Sequence, residues 1–241
     1  LGLDPVVVVT AEVSSALSAE PGGPEARARA ARYDALSRVA TQHQAAAVWL
    51  AHTRDDQAEQ VLLGLARGSG TRSLAGMPAR RSPYERPFLA IPREVTREAC
   101  RAQGLTPWED PMNADDRFTR VRVRRALGEL AALLGPGLPE ALARTADLAR
   151  EDADALDEWA RHAHQVLGTP PWPVAILASY PKAVRARLWR RLAREGGSPE
   201  CHAVHVAALD ALLTDWRGQG AVALPGGRLV RRADRLVHIE A

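Results

Sequence analysis

Residues 50–77 read L-A-H-T-R-D-D-Q-A-E-Q-V-L-L-G-L-A-R-G-S-G-T-R-S-L-A-G-M and contain the most informative pattern in the chain. The short apolar run before them, residues 46–51, predicts a buried strand, and residues 57–67 predict a helix that stops at Gly68. His52 therefore stands at a strand end, and three acidic residues (Asp55, Asp56 and Glu59) open the helix. Ligands of open α/β sheets bind outside the carboxyl ends of strands, so we expect these side chains to face a site.

Each part of this pattern has two interpretations. Asp56 and Glu59 share a helix face and would hold Mg²⁺ near a polyphosphate or bind an amine. The same Asp-x-x-Glu spacing is also typical of a capped helix start, in which acids complement the helix dipole. His52 alone would be a buried, satisfied histidine, and Gly68-Ser69-Gly70 alone would be a helix C-cap and turn.

The residues before this stretch predict an α/β fold. The valines at 6–9 predict a buried strand, residues 21–24 a loop and residues 25–43 a helix. Strand, helix, strand and helix in this order predict parallel βαβ units with a right-handed crossover. We expect a partial, Rossmann-like parallel sheet with flanking helices, and a short strand around Phe88.

The pattern changes near residue 135. Residues 140–167, 183–195 and 202–216 have helical periodicity. The remaining residues alternate apolar and polar side chains around Pro225-Gly226-Gly227, which predicts a small antiparallel meander. We therefore predict two domains: an α/β domain at residues 1–134, and a helical domain with a C-terminal β-hairpin region at residues 135–241.

Composition narrows the class of protein. The 241 residues are 46% hydrophobic and 25% charged, which is typical of globular proteins, and no apolar run is long enough to cross a membrane. Cys100 and Cys201 stand alone, which excludes a disulfide scaffold and a thiolate zinc site and favours the cytoplasm. Lys182 is the single lysine among the 32 lysine and arginine residues. A GC-rich genome would produce the same excess of arginine without any functional cause. Only local clusters of arginine therefore indicate a nucleic-acid partner.

One such cluster is present, with five arginines in nine residues. Arg117, Arg120 and Arg124 have the spacing i, i+3 and i+7, and Arg122 and Arg125 lie on an adjacent face. Arginines at this density indicate contact with RNA phosphates, and a solvated helix face is the alternative.

Taken together, the string H-T-x-D-D-Q-A-E-x-x-L-L-x-L-x-R-G-S-G-x-x-x-L-A-G-M resembles the signature of tRNA(Ile)-lysidine synthetases, members of the PP-loop ATP pyrophosphatase superfamily. Other stretches agree in the same order. They are A-R-A-A-R-Y at 28–33, R-P-F-L at 86–89 followed by Arg93, W-E-D-P-M-N at 108–113, R-F-T-R at 117–120, and the late L-P-G-G.

The resemblance implies a two-step ATP-dependent ligation. ATP adenylates the C2 oxygen of the wobble cytidine in the CAU anticodon of tRNA(Ile), and the amine of free L-lysine then expels AMP. It also implies ATP and Mg²⁺ as cofactors and a cytoplasmic enzyme without a membrane segment, and it leaves a homodimer open.

The resemblance also implies roles for individual residues. Asp56 and Glu59 would bind the lysine ammonium, with Asp56 touching Mg²⁺, and Arg32 would stabilise charge on the cytidine or phosphate. The ATP side would be lined by His52, Asp55, Gly68, Ser69 and Gly70. The tRNA would be held by the arginines at 117, 120, 122, 124 and 125, and by the helical domain.

Two departures from the family pattern affect these expectations. The S-G-G-x-D-S loop is absent, and the chain starts at Leu1 directly before the valines, so we expect the N-terminal PP-loop segment to be missing and ATP binding to be impaired. Met112 and Val121 also replace polar family residues.

Two other function classes remain open from the sequence. One is a non-catalytic tRNA-binding fragment or helical partner-binding module. The other is a different PP-loop enzyme that thiolates tRNA or amidates a nucleotide, although thiolating members typically carry C-x-x-C pairs and the chain has none.

Overall fold

The computed structural model describes residues 2–11, 23–68 and 70–240. They form two compact units, Leu1–Ala149 and Arg150–Ala241. The first unit combines helices with a small mixed sheet, and the second combines helices with an antiparallel sheet, so the predicted α/β class is confirmed. Among the helices of the described residues, none has the length and apolar character that spanning a bilayer requires.

The helices of the first unit carry most of its residues. They are α1 (Gly23–Gln42), α2 (Arg54–Ala66), α3 (Thr71–Leu74), α4 (Arg93–Ala102), α5 (Thr119–Leu134) and the start of α6 (Leu138–Leu167), with a 3₁₀ turn at Pro111–Ala114. Helix α2 packs against α3 and α5, which brings residues far apart in sequence to one place.

Three short strands form the sheet of this unit: β1 (Val48–Trp49), β2 (Arg80–Arg81) and β3 (Tyr84–Glu85). Strands β1 and β3 are parallel, with Val48 beside Tyr84, while β2 and β3 form an antiparallel hairpin. The backbone amide of Leu50 donates to Glu85 O at 2.8 Å, so β1 ends directly before His52.

Three local predictions in this unit are wrong. The valines at 6–9 form no strand and are exposed, because no strand pairs with them within the described residues. Gly23 and Pro24 begin α1 instead of forming a loop, while Pro21 and Gly22 lie outside the described residues. No strand forms around Phe88, since β3 comprises Tyr84–Glu85 and ends before it.

The second unit has a continuous apolar core. Its elements are β4 (Trp172–Pro173), α7 (Val174–Ser179), α8 (Lys182–Glu195), α9 (Ala203–Thr214), β5 (Val222–Ala223), β6 (Leu229–Ala233) and β7 (Leu236–Glu240). The core includes Trp189, Leu188 and Leu209. The predicted meander is present as β5, β6 and β7, and the unpredicted β4 pairs with β7 to give the order β4-β7-β6-β5.

Candidate functional site

The start of helix α2 is fixed by a side-chain cap. Both the backbone amide and the hydroxyl of Thr53 donate to Asp56 Oδ2, at 2.7 and 2.8 Å. The capping box is therefore Thr53-x-x-Asp56, three residues before the expected Asp56-x-x-Glu59 cap, and Glu59 takes no part in it. Asp56 therefore holds the end of β1 and the first turn of α2 in one geometry.

Arg93 joins the start of α4 to the start of α2. Its backbone amide donates to Asp55 Oδ2 at 2.7 Å, and its guanidinium donates to Asp56 Oδ1 at 3.1 Å and Glu59 Oε1 at 3.0 Å. Burial alone would raise the pKa of Asp56, but the Thr53 hydrogen bonds and Arg93 outweigh it and lower that pKa. Burial would lower the pKa of Arg93, yet Glu59 and Asp56 raise it. Asp56 and Arg93 are therefore both charged at neutral pH.

Glu59 is the centre of the arrangement. It has no exposed area, and α5 supplies two more arginines to it. Arg124 Nε donates to Glu59 Oε1 at 2.8 Å, and Arg120 Nε lies 3.5 Å from Glu59 Oε2. Within the described residues, Glu59 Oε2 and Arg120 Nε are buried without a hydrogen bond. We call Glu59, Asp56, Arg93, Arg120 and Arg124 the Glu59 cluster.

His52 lies beside this cluster on its positively charged side. Burial, together with the charges of Arg86, Arg120 and Arg29, lowers the pKa of His52 to about 4 against the opposing effect of Asp56. The imidazole is therefore neutral at pH 7. Its Nδ1 is buried and has no hydrogen-bond partner among the described residues, so it is available to a ligand.

Helix α1 adds arginines to the same region. Desolvation, together with Arg120, Arg86 and Arg32, lowers the pKa of Arg29, while Tyr33 opposes this effect. Arg29 donates to the Tyr33 hydroxyl at 3.0 Å. Arg32 is exposed and makes no side-chain hydrogen bond or ion pair within the described part of the chain. The charge of Arg32 thus acts on Arg29, and the charge of Arg29 acts on His52.

The remaining predicted residues lie outside the Glu59 cluster. Gly68 has a positive φ of 61° just after α2, Gly70 precedes α3, and Ser69 lies outside the described residues. Three of the arginines predicted to contact tRNA are exposed, and they pair with groups close to them in sequence instead of with Glu59. Arg117 pairs with Asp115, Arg125 pairs with Asp116, and Arg122 donates to the Asp116 and Arg117 carbonyls.

Sequence reasoning gave no role to Arg93, Arg86 or Gln57. The side chain of Gln57 accepts from Met77 N at 2.7 Å and donates to Met77 O at 3.0 Å, which joins the two ends of the informative stretch. The buried polar position within a helical pattern was the available signal for Gln57. No local pattern signals Arg93, because its partners lie more than thirty residues away.

The carboxylates do not fit a metal site as they are arranged. Both oxygens of Asp56 accept hydrogen bonds, and Glu59 is surrounded by guanidinium groups. The described residues contain no group of three His, Cys, Asp or Glu side chains that would hold a metal ion. The Mg²⁺ contact of Asp56 therefore stays a prediction, and no reaction step is assigned to it.

Comparison with known proteins gives two family matches. A family model described as the PP-loop domain matches residues 5–131, and one described as the TilS substrate binding domain matches residues 173–237. The expectation that the PP-loop segment is missing is wrong, because the PP-loop domain model matches residues 5–131.

Individual relatives agree with these matches. A protein of Thermobifida fusca (strain YX), named tRNA(Ile)-lysidine synthase, is 54% identical over 246 residues, covering 100% of this chain and 74% of the relative. A protein of the same name from Streptomyces coelicolor is 52% identical, covering 96% of this chain and 67% of the relative. One from Salinispora tropica is 51% identical, covering 99% and 74%.

Proposed function

Because the chain belongs to the tRNA(Ile)-lysidine synthase family, we infer that it is an ATP-dependent ligase that modifies tRNA(Ile). We propose that it joins lysine to C2 of the wobble cytidine in the CAU anticodon through an adenylated intermediate. The observation that carries this proposal is the Glu59 cluster, which gathers carboxylates and guanidinium groups after the end of β1.

The first step needs positive charge. The C2 oxygen of the cytidine attacks the α-phosphate of ATP, and the bond to pyrophosphate breaks. Negative charge develops on the phosphate oxygens, and preorganised guanidinium groups stabilise it. Arg32 and Arg120 are proposed for this role, because among the described residues Arg32 has no ion-pair partner and Arg120 Nε has no hydrogen bond.

Among the described residues, those proposed to line the ATP side make fewer contacts with the Glu59 cluster. His52 offers a neutral ring nitrogen without a partner, which suits a hydrogen bond to the nucleotide. Asp55 holds the start of α4, so its contribution would be to fix this edge of the site. Gly68, Ser69 and Gly70 would supply backbone donors, as glycine-rich turns do for phosphates.

The second step needs a lysine amine. The amine nitrogen forms a bond to C2, the bond from C2 to the adenylated oxygen breaks, and AMP leaves. The amine must lose its proton to react, although it arrives as an ammonium. Asp56 and Glu59 are proposed to bind that ammonium, because Glu59 Oε2 is a buried acceptor that receives no hydrogen bond from the part of the chain that the structure describes.

A specific kinetic test separates two roles of Glu59. If Glu59 binds the ammonium, Glu59→Gln raises the KM for lysine while ATP-dependent adenylation of the tRNA persists. If Glu59 acts only by holding Arg120 and Arg124, Glu59→Gln slows adenylation itself. Pyrophosphate release without lysine measures the first step alone and decides between them.

The tRNA would be held outside the cluster. Arg117, Arg122 and Arg125 are exposed, so they are proposed to contact backbone phosphates, with Arg124 and Arg120 closer to the site. Residues 1–134 are proposed as the catalytic domain and residues 135–241 as the tRNA-binding domain; the TilS substrate binding match at 173–237 supports the latter.

Two further proposals concern conditions. Mg²⁺ is proposed to accompany ATP as a counter-ion of its phosphates. The protein is proposed to act in the cytoplasm, because both cysteines are free thiols, as in a reducing compartment.

The proposal is tested with the full chain, ATP, labelled lysine and a tRNA(Ile) transcript carrying the CAU anticodon. Lysine incorporation that requires ATP and the wobble cytidine is expected, and a transcript with uridine at that position is the control. Tight tRNA binding without pyrophosphate release would instead favour a binding-only protein.

A further inference from the structure

A charged cavity lies in the first unit and is lined in part by Arg86, whose charge also acts on His52. It has a volume of about 410 Å³ and is lined by the start of α2, the segment 86–90 and the start of α6. Three arginines line it: Arg54, Arg86 and Arg144. None of His52, Asp55, Gly68 or Gly70 is part of this lining.

Two of these arginines have unsatisfied buried donors. The Nε atoms of Arg54 and Arg86 are buried and lack a hydrogen-bond partner within the described residues. Arg86 is only 7% exposed, and its side chain donates from Nη1 to Pro78 O at 2.8 Å. A buried charged donor without a partner costs roughly 1–3 kcal/mol or more, so such groups normally have a ligand or water.

The charge balance of the cavity favours an anion. Two carboxylates, Glu140 and Asp147, also line it. Glu140 is already engaged, because Arg144 Nη1 lies 3.1 Å from one oxygen and Arg54 Nη1 lies 3.7 Å from the other. Asp147 is exposed at the helix surface. The buried Nε–H groups of Arg54 and Arg86 are thus available to donate to a negatively charged ligand that enters the cavity.

We propose that this cavity, lined by Arg54, Arg86 and Arg144, binds a phosphate group. A guanidinium presents Nε–H and Nη–H as a planar fork that matches two phosphate oxygens. The inference rests on the proposed function, which supplies phosphates from two sources: the backbone of the tRNA and the nucleotide with its pyrophosphate product.

The test uses single substitutions in the full chain, with Arg54→Gln and Arg144→Gln as the cavity variants. Arg144 is exposed at the cavity rim, so its loss leaves the fold intact even if Arg54→Gln is destabilised. Arg101→Gln is the matched control, because Arg101 is an exposed arginine on α4 paired with Glu94, outside the cavity. Thermal melts confirm that each variant is folded.

Two binding constants separate the sources. Fluorescence anisotropy of labelled tRNA(Ile) over a range of salt gives the tRNA Kd, and equilibrium dialysis gives the Kd values for ATP and inorganic pyrophosphate. A backbone phosphate in the cavity raises the tRNA Kd about fivefold in both variants and reduces the salt slope by about one. A nucleotide phosphate instead raises the ATP or pyrophosphate Kd by a similar factor.

All Kd values within twofold of the Arg101→Gln protein would overturn the proposal. Lysine incorporation by the wild-type chain is measured in parallel. Its absence, with the cavity effects present, would reject the proposed ligase activity and leave the phosphate site standing. Full incorporation with no cavity effect would reject the phosphate site alone.

Discussion

Replacing Glu59 by glutamine removes the negative charge on which three arginines converge. Glu59 has no exposed area, whereas the side chains of Arg93, Arg120 and Arg124 are 26, 25 and 36% exposed. Each hydrogen bond to a charged group contributes about 1.5–3 kcal/mol, and Glu59 accepts two of them. Glutamine keeps one acceptor oxygen, and water reaches the arginines in part, so we expect a loss of about 3 kcal/mol in the free energy of unfolding.

The assay is thermal and urea unfolding of the wild-type chain and the Glu59→Gln variant. For a chain of this size, 1 kcal/mol corresponds to a change of roughly 2–4 °C in Tm, so a decrease of about 6–12 °C is expected. Glu94→Gln is the matched control: Glu94 pairs with Arg101, both side chains are more than 60% exposed, and the expected change is below about 1 kcal/mol. If Glu59→Gln melts within about 1 °C of the wild type, the buried cluster does not stabilise the first unit and the reasoning is refuted.

Three further changes test other parts of the structure. Burial lowers the pKa of His52 to about 4, so the unfolded chain binds a proton that the folded chain does not, and stability falls as pH drops from 6.5 to about 4. We expect the His52→Gln variant to lose less unfolding free energy between pH 7 and pH 5 than the wild type does, as measured by urea titration at each pH. The same loss in both proteins would contradict this expectation. Asp210 accepts two hydrogen bonds from Arg185, at 2.6 and 2.8 Å. We therefore expect Asp210→Asn to lower the free energy of unfolding of the second unit by about 3 kcal/mol. An unchanged Tm would contradict this expectation. Gly76 has a φ of 56°, and a Cβ there would lie 2.5 Å from the side-chain oxygen of Gln57. Gly76→Ala should therefore destabilise the chain by about 2 kcal/mol in urea unfolding, and a neutral effect would show that the turn relaxes.

The local architecture of the site follows from sequence patterns. The apolar run before His52 and the acidic start of α2 predict a strand that ends beside charged side chains, and β1 and α2 have this arrangement. The capped helix start is also present, but it begins at Thr53 with Asp56 as its third residue, not at Asp56 with Glu59. Such features depend on residues that are close in sequence, so they can be predicted from periodicity and spacing.

The long-range contacts could not be predicted in the same way. Arg124 lies sixty-five residues from Glu59, and the choice of Arg120 and Arg124 over Arg117 and Arg122 depends on how α5 packs on α2. Helical spacing places Arg120 and Arg124 on one face but does not name their partner. Strand prediction at the valines of residues 6–9 failed for a related reason, because β-propensity requires a paired neighbour.

The central claim is that the arginines around Glu59 stabilise the charge that develops during adenylation. Its most direct measurement is the single-turnover rate of pyrophosphate release from ATP with tRNA(Ile) carrying the CAU anticodon, for Arg120→Gln beside Arg101→Gln. Loss of one preorganised donor to the developing charge predicts a decrease of about 100-fold or more for Arg120→Gln and little change for Arg101→Gln. Equal rates for the two variants, at saturating tRNA and ATP, would contradict the placement of the active site at this cluster.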